Sequence, residues 1–417
     1  MTALVSAGLF NRARLSRLAD ALVVAVAVSL PWSTSATGIL VVLWLLALIP
    51  TLDATALRRV LLTPAGSLPV ALVALGVIGM LWADVTWAER WGGVGSFFKL
   101  LAIPLLLVQF RGSQRGLQVF IGYAASCLVL LAVSTLAEFA PGFSFIPMHA
   151  DHVLVKNPAT QSGEFVTCIF GLLFLAVDTV GRRLWSQTAG ILAVVLGMLA
   201  NIFYVANGRT ALVIIPVLLV FLAVRKLTAK GICILFAGTI LLGAIGWFTS
   251  PYLREHTSQA WTDLEKYEAT DQQNSSGERI EFAKKSIGFI REAPIFGHGT
   301  GSIHSLFLKS SIGQTGAAGS ATTNPHNQTF AVAIQLGLFG AAILWAMWIA
   351  HWLLFRGNGL AQWIGLVVVV QNVVGSLFNS HLFDFAQGWV YVFGVGVAGG
   401  MALKHRLTAK SAAASPP

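Results

Sequence analysis

Residues 21–52 read ALVVAVAVSLPWSTSATGILVVLWLLALIPTL, a run without a single charge. A bilayer-crossing helix needs about 20 mostly apolar residues, so the run is too long for one crossing. Pro31-Trp32-Ser33-Thr34 stands near its middle. Proline lacks the N–H a helix interior requires and its ring crowds the preceding turn. The stretch therefore predicts two helices joined as a hairpin inside a membrane. Working outward, uncharged runs predict spans near 18–33, 37–52, 66–83, 91–110, 116–137, 161–180, 187–206, 209–225, 230–249, 326–354, 358–379 and 385–403. The expected fold is an all-α polytopic membrane protein of about twelve transmembrane helices.

Composition agrees. Charged residues make up 11% of the 417, hydrophobic ones 56%, and the mean hydropathy is +0.76. An ordinary soluble domain carries about 25% charge, so too few charges are present to cover a water-facing surface. That excludes a soluble enzyme, a coiled coil, a disordered scaffold and a secreted disulfide fold. Length alone would suggest about three soluble domains; composition predicts one membrane domain over 1–417. The net charge of +10 raises the question of nucleic acid, but the basic residues are scattered in ones, twos and threes between apolar runs, so no nucleic-acid partner is expected. Cys127, Cys168 and Cys233 each lie in an apolar stretch, and no structural disulfide is expected. No cleavable signal peptide is expected either, because Arg12, Arg14 and Arg17 lead directly into successive spans.

Short cytoplasmic loops are enriched in Lys and Arg. With the N-terminus inside, 16 of the 27 basic residues fall on inner loops and tails. The outer side then holds Arg90, Lys99, Lys156 and Arg209, plus seven in one long loop. Both termini are expected in the cytoplasm. The long loop, 250–325 between spans nine and ten, holds eight of the 17 acidic residues and reads as a subdomain. Leu253, Trp261, Leu264 and Tyr267 suggest one amphipathic helix in it. Ser275-Ser276-Gly277-Glu278 resembles a capping box, and Ile280, Ala283, Ile287 and Ile290 suggest a second helix, stopped by Pro294. Gly297-His298-Gly299-Thr300-Gly301 reads as a turn.

An ionisable group at membrane depth or on the wrong side is a candidate functional residue. Arg209, in Asn207-Gly208-Arg209-Thr210-Ala211, opens a span at the outer face. It is either an arginine snorkelling from a helix end or an anion clamp, whose planar fork suits phosphate oxygens. Arg279 is either ion-paired with Glu278 and Glu281 or a second clamp from the loop helix. His326 stands among Asn324, Asn327 and Gln328, where the loop re-enters the membrane. Such polar clustering beside lipid is costly unless it lines a cavity. Lys156 before Asn157-Pro158, Lys99 within a span, and Asn379-Ser380-His381 with Asp384 read as more structural than catalytic, His381 and Asp384 as a pair. The sequence contains no phosphate-binding P-loop, no His-Glu-x-x-His and no paired cysteines, and its acidic residues do not cluster within spans. No metal and no cofactor are expected; the chemistry is expected of Arg and His at an outward pocket.

Asn-Gly-Arg209-Thr-Ala, Ser-Gly-Glu-Arg279, Pro294-Ile-Phe-Gly-His-Gly-Thr-Gly301, and Pro325-His326-Asn327-Gln328 leading to Gln335-Leu-Gly-Leu-Phe-Gly340 together resemble the O-antigen ligase family. The motifs cover roughly 200–345; the remainder agrees in topology. The resemblance implies an integral-membrane, GT-C-like glycosyltransferase in the bacterial inner membrane, with one large periplasmic loop. It implies a glycan moved from undecaprenyl diphosphate to a sugar hydroxyl of lipid A–core in lipopolysaccharide assembly. It further implies diphosphate binding by Arg209 and Arg279, with Lys156 where relatives often have arginine, and a catalytic His326. His326 would act as general base or as an imidazolium clamp. The reaction would be metal-independent and inverting. Rival readings are an O-antigen polymerase, a protein O-oligosaccharyltransferase, and a lipid-linked glycan transporter. The short stretch after the last span disfavours the second, and the lack of internal repeats the third.

Overall fold

A computed structural model describes residues 11–139, 155–206, 208–251 and 273–414, and between these last two 254–255, 258, 262–263 and 265–267, with the backbone alone at 139 and 407–414. Leu253, Trp261 and Leu264, most of the first expected loop helix, lie outside the described residues, as does Asn207. The described chain is helical, with no strand. In order the helices are α1 (Arg12–Ser29), α2 (Thr34–Leu48), α3 (Ala54–Leu61), α4 (Pro64–Ile78), α5 (Trp87–Phe98), α6 (Ala102–Gly112), α7 (Gly116–Phe139), α8 (Pro158–Gly181), α9 (Trp185–Tyr204), α10 (Arg209–Lys226), α11 (Ala229–Thr249), α12 (Ser275–Glu292), α13 (Ile303–Ser311), α14 (Gln328–Leu354), α15 (Leu360–Gly375) and α16 (Phe385–Ala414).

Nine segments among the described residues are helices long and apolar enough to cross a membrane. The three other expected spans are also helices: α1 and α10 carry several charges at their ends, and α15 is short. The hairpin forms where Pro31 predicts it. Helix α1 ends at Ser29, and α2 restarts with Ser33 Oγ accepting from the Ala36 N–H at 3.2 Å. The core sits among α6, α8, α15 and α16, around Phe110, Phe165, Trp363 and Tyr391. The cysteines are free, Cys127 and Cys168 buried and Cys233 exposed.

Two spans depart from simple rods. The run 91–110 is divided between α5 and α6 by a 3₁₀ turn at Lys99–Leu101. Lys99 Nζ donates to the carbonyls of Phe383 and Asp384 at 2.9 and 2.8 Å, fixing the α15–α16 loop. Helix α14, expected as one rod, is kinked at Gly337, whose φ is +65°. A Cβ there would strike the Ile295 carbonyl. The kink opens the ladder of backbone bonds, and the glycine-rich turn at 297–301 closes it. His298 and Gly299 N–H donate to the Ile334 and Gln335 carbonyls, both at 2.9 Å, and Leu338 N–H donates to Pro294 at 2.8 Å. Thr300 anchors the turn to α4, its hydroxyl on Gly76 O at 2.6 Å. Backbone polar groups away from water must be satisfied within the protein. The two glycine motifs thus do one job, each supplying the partners the other lacks.

Helix α12 differs from its expected form in two ways. Its N-cap is Asn274, accepting from Gly277 N–H at 2.8 Å, so Ser275–Glu278 form no capping box. Its buried side is Phe282, Ser286 and Phe289, at steps of four and three, while Ile287 is exposed. Aromatic bulk outweighs the isoleucine stripe because Phe282 and Phe289 meet Phe307 of α13 edge-on, at 5.5 and 5.2 Å between centroids. Helix α13 had no forecast in the sequence.

Candidate functional site

The segment between α13 and α14 and the loop between α15 and α16 meet at the end of the bundle that carries α12. Side-chain amides join them. Asn324 Nδ2 donates to Asn379 Oδ1 at 2.6 Å, and Asn379 Nδ2 donates to Asp384 Oδ2 at 2.7 Å. Ser380 Oγ and the His326 N–H both donate to Asn324 Oδ1, at 2.7 and 2.9 Å. Gln328 Oε1 accepts from Leu382 and Phe383 N–H, at 3.0 and 3.2 Å. These bonds hold His326 at φ +54°, in the left-handed region. That conformation costs a non-glycine residue roughly 1–3 kcal/mol and persists where surrounding contacts overdetermine it.

The His326 ring stacks on Phe282 of α12, centroids 6.1 Å apart and planes 14° apart, with the Asn379 side chain close enough to influence its titration. Its Nδ1 is buried without a partner among the described residues. Burial is the main cause lowering its pKa below the ordinary 6.5; Arg279 lowers it further, and Asn379 and Glu278 oppose. The imidazole is therefore biased toward its neutral form, with a lone pair able to accept a proton.

Arg279 has no carboxylate partner among the described residues. Both acids expected to pair with it are engaged elsewhere: Glu278 accepts from Gln273 and Ser320, at 3.0 and 2.7 Å, and Glu281 from Lys284 at 2.8 Å and from Tyr267. Partial burial, and after it the proximity of Arg209, lower the Arg279 pKa. Two guanidinium groups thus lie near one another, Arg279 also within electrostatic reach of a histidine biased toward its neutral form. Arg209 is placed by α10, which starts where Gly208 N–H donates to Ser162 Oγ of α8 at 3.0 Å. Like charges so placed repel, and an anion between them removes the repulsion.

Lys156 stands apart from that pair. Its φ is +60°, and its Nζ donates to the Leu30 carbonyl and to Glu164 Oε1, the latter at 3.1 Å with both side chains nearly buried. It lines a cavity of about 400 Å³ with Thr160, Asn379, His381, Asp384 and Gln387. His381 and Asp384 are not an ion pair: Asp384 is bonded by Asn379, and His381 Nδ1 is buried without a partner among the described residues. Burial lowers the His381 pKa to about 4 and raises that of Asp384 to about 6. Among the described residues no group of three His, Cys, Asp or Glu side chains could hold a metal ion. No motif in the sequence marks the Asn324–Asn379–Asp384 chain of bonds, although each member stands in a polar cluster.

Residues 192–345 match the family model described as O-antigen ligase. That stretch holds Arg209, Arg279, the 294–301 turn, His326 and the Gly337 kink, and it excludes Lys156, Asn379 and Asp384. A Haemophilus influenzae protein described as uncharacterized is 24% identical over 204 residues, 48% of this chain. The match spans about half the length of that relative.

Proposed function

We propose, from the match of residues 192–345 to the family model described as O-antigen ligase, that the chain is a lipid-linked glycan ligase. In this reading it transfers a glycan from undecaprenyl diphosphate to a sugar hydroxyl of lipid A–core at the periplasmic face of the inner membrane. The observation that carries it is the grouping of Arg209, Arg279 and His326, two guanidinium groups within electrostatic reach of each other beside an imidazole biased toward its neutral form, at one end of an apolar bundle.

Arg209 and Arg279 bind the diphosphate and stabilise the charge that develops on it as the anomeric carbon–oxygen bond breaks, usually the largest catalytic effect. Lys156, whose charge Glu164 offsets, lines a separate cavity and is the third candidate contact for the donor. His326 accepts the proton of the acceptor hydroxyl as that oxygen bonds the anomeric carbon, a contribution of about 10²–10⁴-fold. Attack from the side opposite the diphosphate inverts the anomeric centre.

A deletion strain tests the reading. Loss of polymer from lipid A–core, with lipid-linked polymer accumulating, supports the ligase. Retained attachment of single repeat units identifies a polymerase, and unchanged lipopolysaccharide contradicts both.

A further inference from the structure

A second polar cavity, of about 450 Å³, lies on the other side of the Asn324–Asp384 bonds. Its volume is within the ~300–1,000 Å³ of small-molecule sites. Asp384 lines this cavity and the one beside Lys156, so the two share a wall. Their charges differ. The cavity beside Lys156 has one lysine, offset by Glu164, and one carboxylate, Asp384; the second has two carboxylates, Glu89 and Asp384, and no lysine or arginine in its lining, with His304 and Ser96 in the wall and Lys309 within electrostatic reach of Glu89.

Carboxylates accept hydrogen bonds from hydroxyl groups and repel phosphate. Glu89 spends one oxygen, Oε2, on its own helix cap, at 2.9 and 2.7 Å from Thr86 N and Oγ1. Its Oε1 makes no hydrogen bond among the described residues. Gly92 also lines the cavity, and a Cβ added there meets nothing within 4 Å. Asn324 and Pro325 close the far side, directly before His326.

We propose that this cavity is a saccharide subsite that receives an uncharged sugar ring of the acceptor and excludes phosphorylated sugars. The assignment rests on the glycosyl-transfer reading. It separates the two substrates by charge: diphosphate goes to the arginines, and a neutral hydroxyl-bearing ring to the acidic cavity. His326 follows Pro325, at the boundary where the two must react.

The test uses the full chain in nanodiscs with Cys233→Ser, which removes the exposed thiol, and Ser96→Cys as reporter. Maleimide labelling of Cys at 96 is followed with methyl glycosides of glucose, galactose and mannose, and with glucose 6-phosphate. At least one methyl glycoside is expected to slow labelling several-fold, with no slowing by glucose 6-phosphate. Gly92→Leu, which fills open space, and Glu89→Gln, which retains a capping side chain, are each expected to abolish the protection. In transfer assays Glu89→Gln is expected to raise KM for the acceptor roughly tenfold and leave KM for the donor unchanged. No protection by any glycoside, or equal protection by the phosphate, overturns the subsite. A change confined to the donor KM assigns the cavity to the donor glycan and overturns it too. Transfer without protection overturns the subsite alone, whereas protection without transfer overturns the ligase reading and leaves a sugar site.

Discussion

Phe282 and His326 lie face to face, 14° from parallel with centroids 6.1 Å apart, although 44 positions separate them in the chain. The contact carries the helix of the long segment onto the residue that begins the return into the bundle. It shields one face of the imidazole, and α12 places Arg279 within electrostatic reach of the same ring. Phe282 also belongs to the apolar cluster with Phe289, Ile303 and Phe307. Truncating a buried Phe costs about 3–5 kcal/mol. Phe282→Ala is expected to loosen the segment, seen as faster proteolysis between α11 and α14, and to lower transfer. Unchanged proteolysis would show that the stack does not hold the segment down.

Arg279 is expected to set the titration of His326. Because Arg279 lowers the histidine pKa, Arg279→Gln should raise it, as followed by NMR of labelled histidine. The acid limb of any residual activity should move to higher pH with it, since a general base fails once protonated. An unmoved titration would place the two groups further apart in function than in structure. Loss of activity on the alkaline side, with none on the acid side, would instead assign His326 as an imidazolium clamp.

The Asn379–Asp384 bond makes Asn379 a positioning residue. Asn379→Ala leaves Asn324 and Asp384 each short of a partner and removes a neighbour of the His326 ring. Misplacement on the scale of 1 Å can cost about 10²-fold in rate. The expected outcome is a lower kcat with nearly unchanged KM for the donor. A fall confined to protein yield would make the amide merely structural.

Stability should respond to pH through the same loop. His381, lowered to about 4 from 6.5, stays neutral in the fold while the unfolded chain protonates. Its contribution is present above about 6.5 and is lost as pH falls toward 4. Asp384, raised to about 6 from 3.8, works in the opposite sense, favouring the fold at low pH and losing that contribution as pH rises through 6. Asp384→Asn removes the opposing group, so its Tm should fall more steeply than wild type between pH 6.5 and 4. Parallel curves would contradict the assignment.

Much of this was legible in the residues. The Pro31 hairpin and the apolar helices follow from hydropathy; Arg209, Arg279 and His326 each stand out as polar groups beside apolar spans, and only the family resemblance groups them in the sequence. The kink at Gly337 was not legible, because a glycine within an apolar run has no periodicity to break; only the docking of Gly297–Gly301 reveals it. Periodicity also misplaced the buried side of α12, since it weighs Ile287 like Phe282 and cannot see the aromatic partner in α13. Lys99 and Asp384 looked like separate oddities until the fold joined them through one loop.

The most direct test of the central claim is transfer by the purified protein, reconstituted with an undecaprenyl-diphosphate-linked glycan and lipid A–core. The variants are Arg279→Ala, Arg209→Lys and His326→Asn. Asparagine tolerates the left-handed backbone at 326, so the last variant removes the ring and keeps the turn. All three are expected to insert and fold; Arg279→Ala and His326→Asn should abolish transfer, and Arg209→Lys should be severely impaired, because a point charge does not replace a bidentate fork. Near wild-type transfer by His326→Asn or Arg279→Ala would contradict the account.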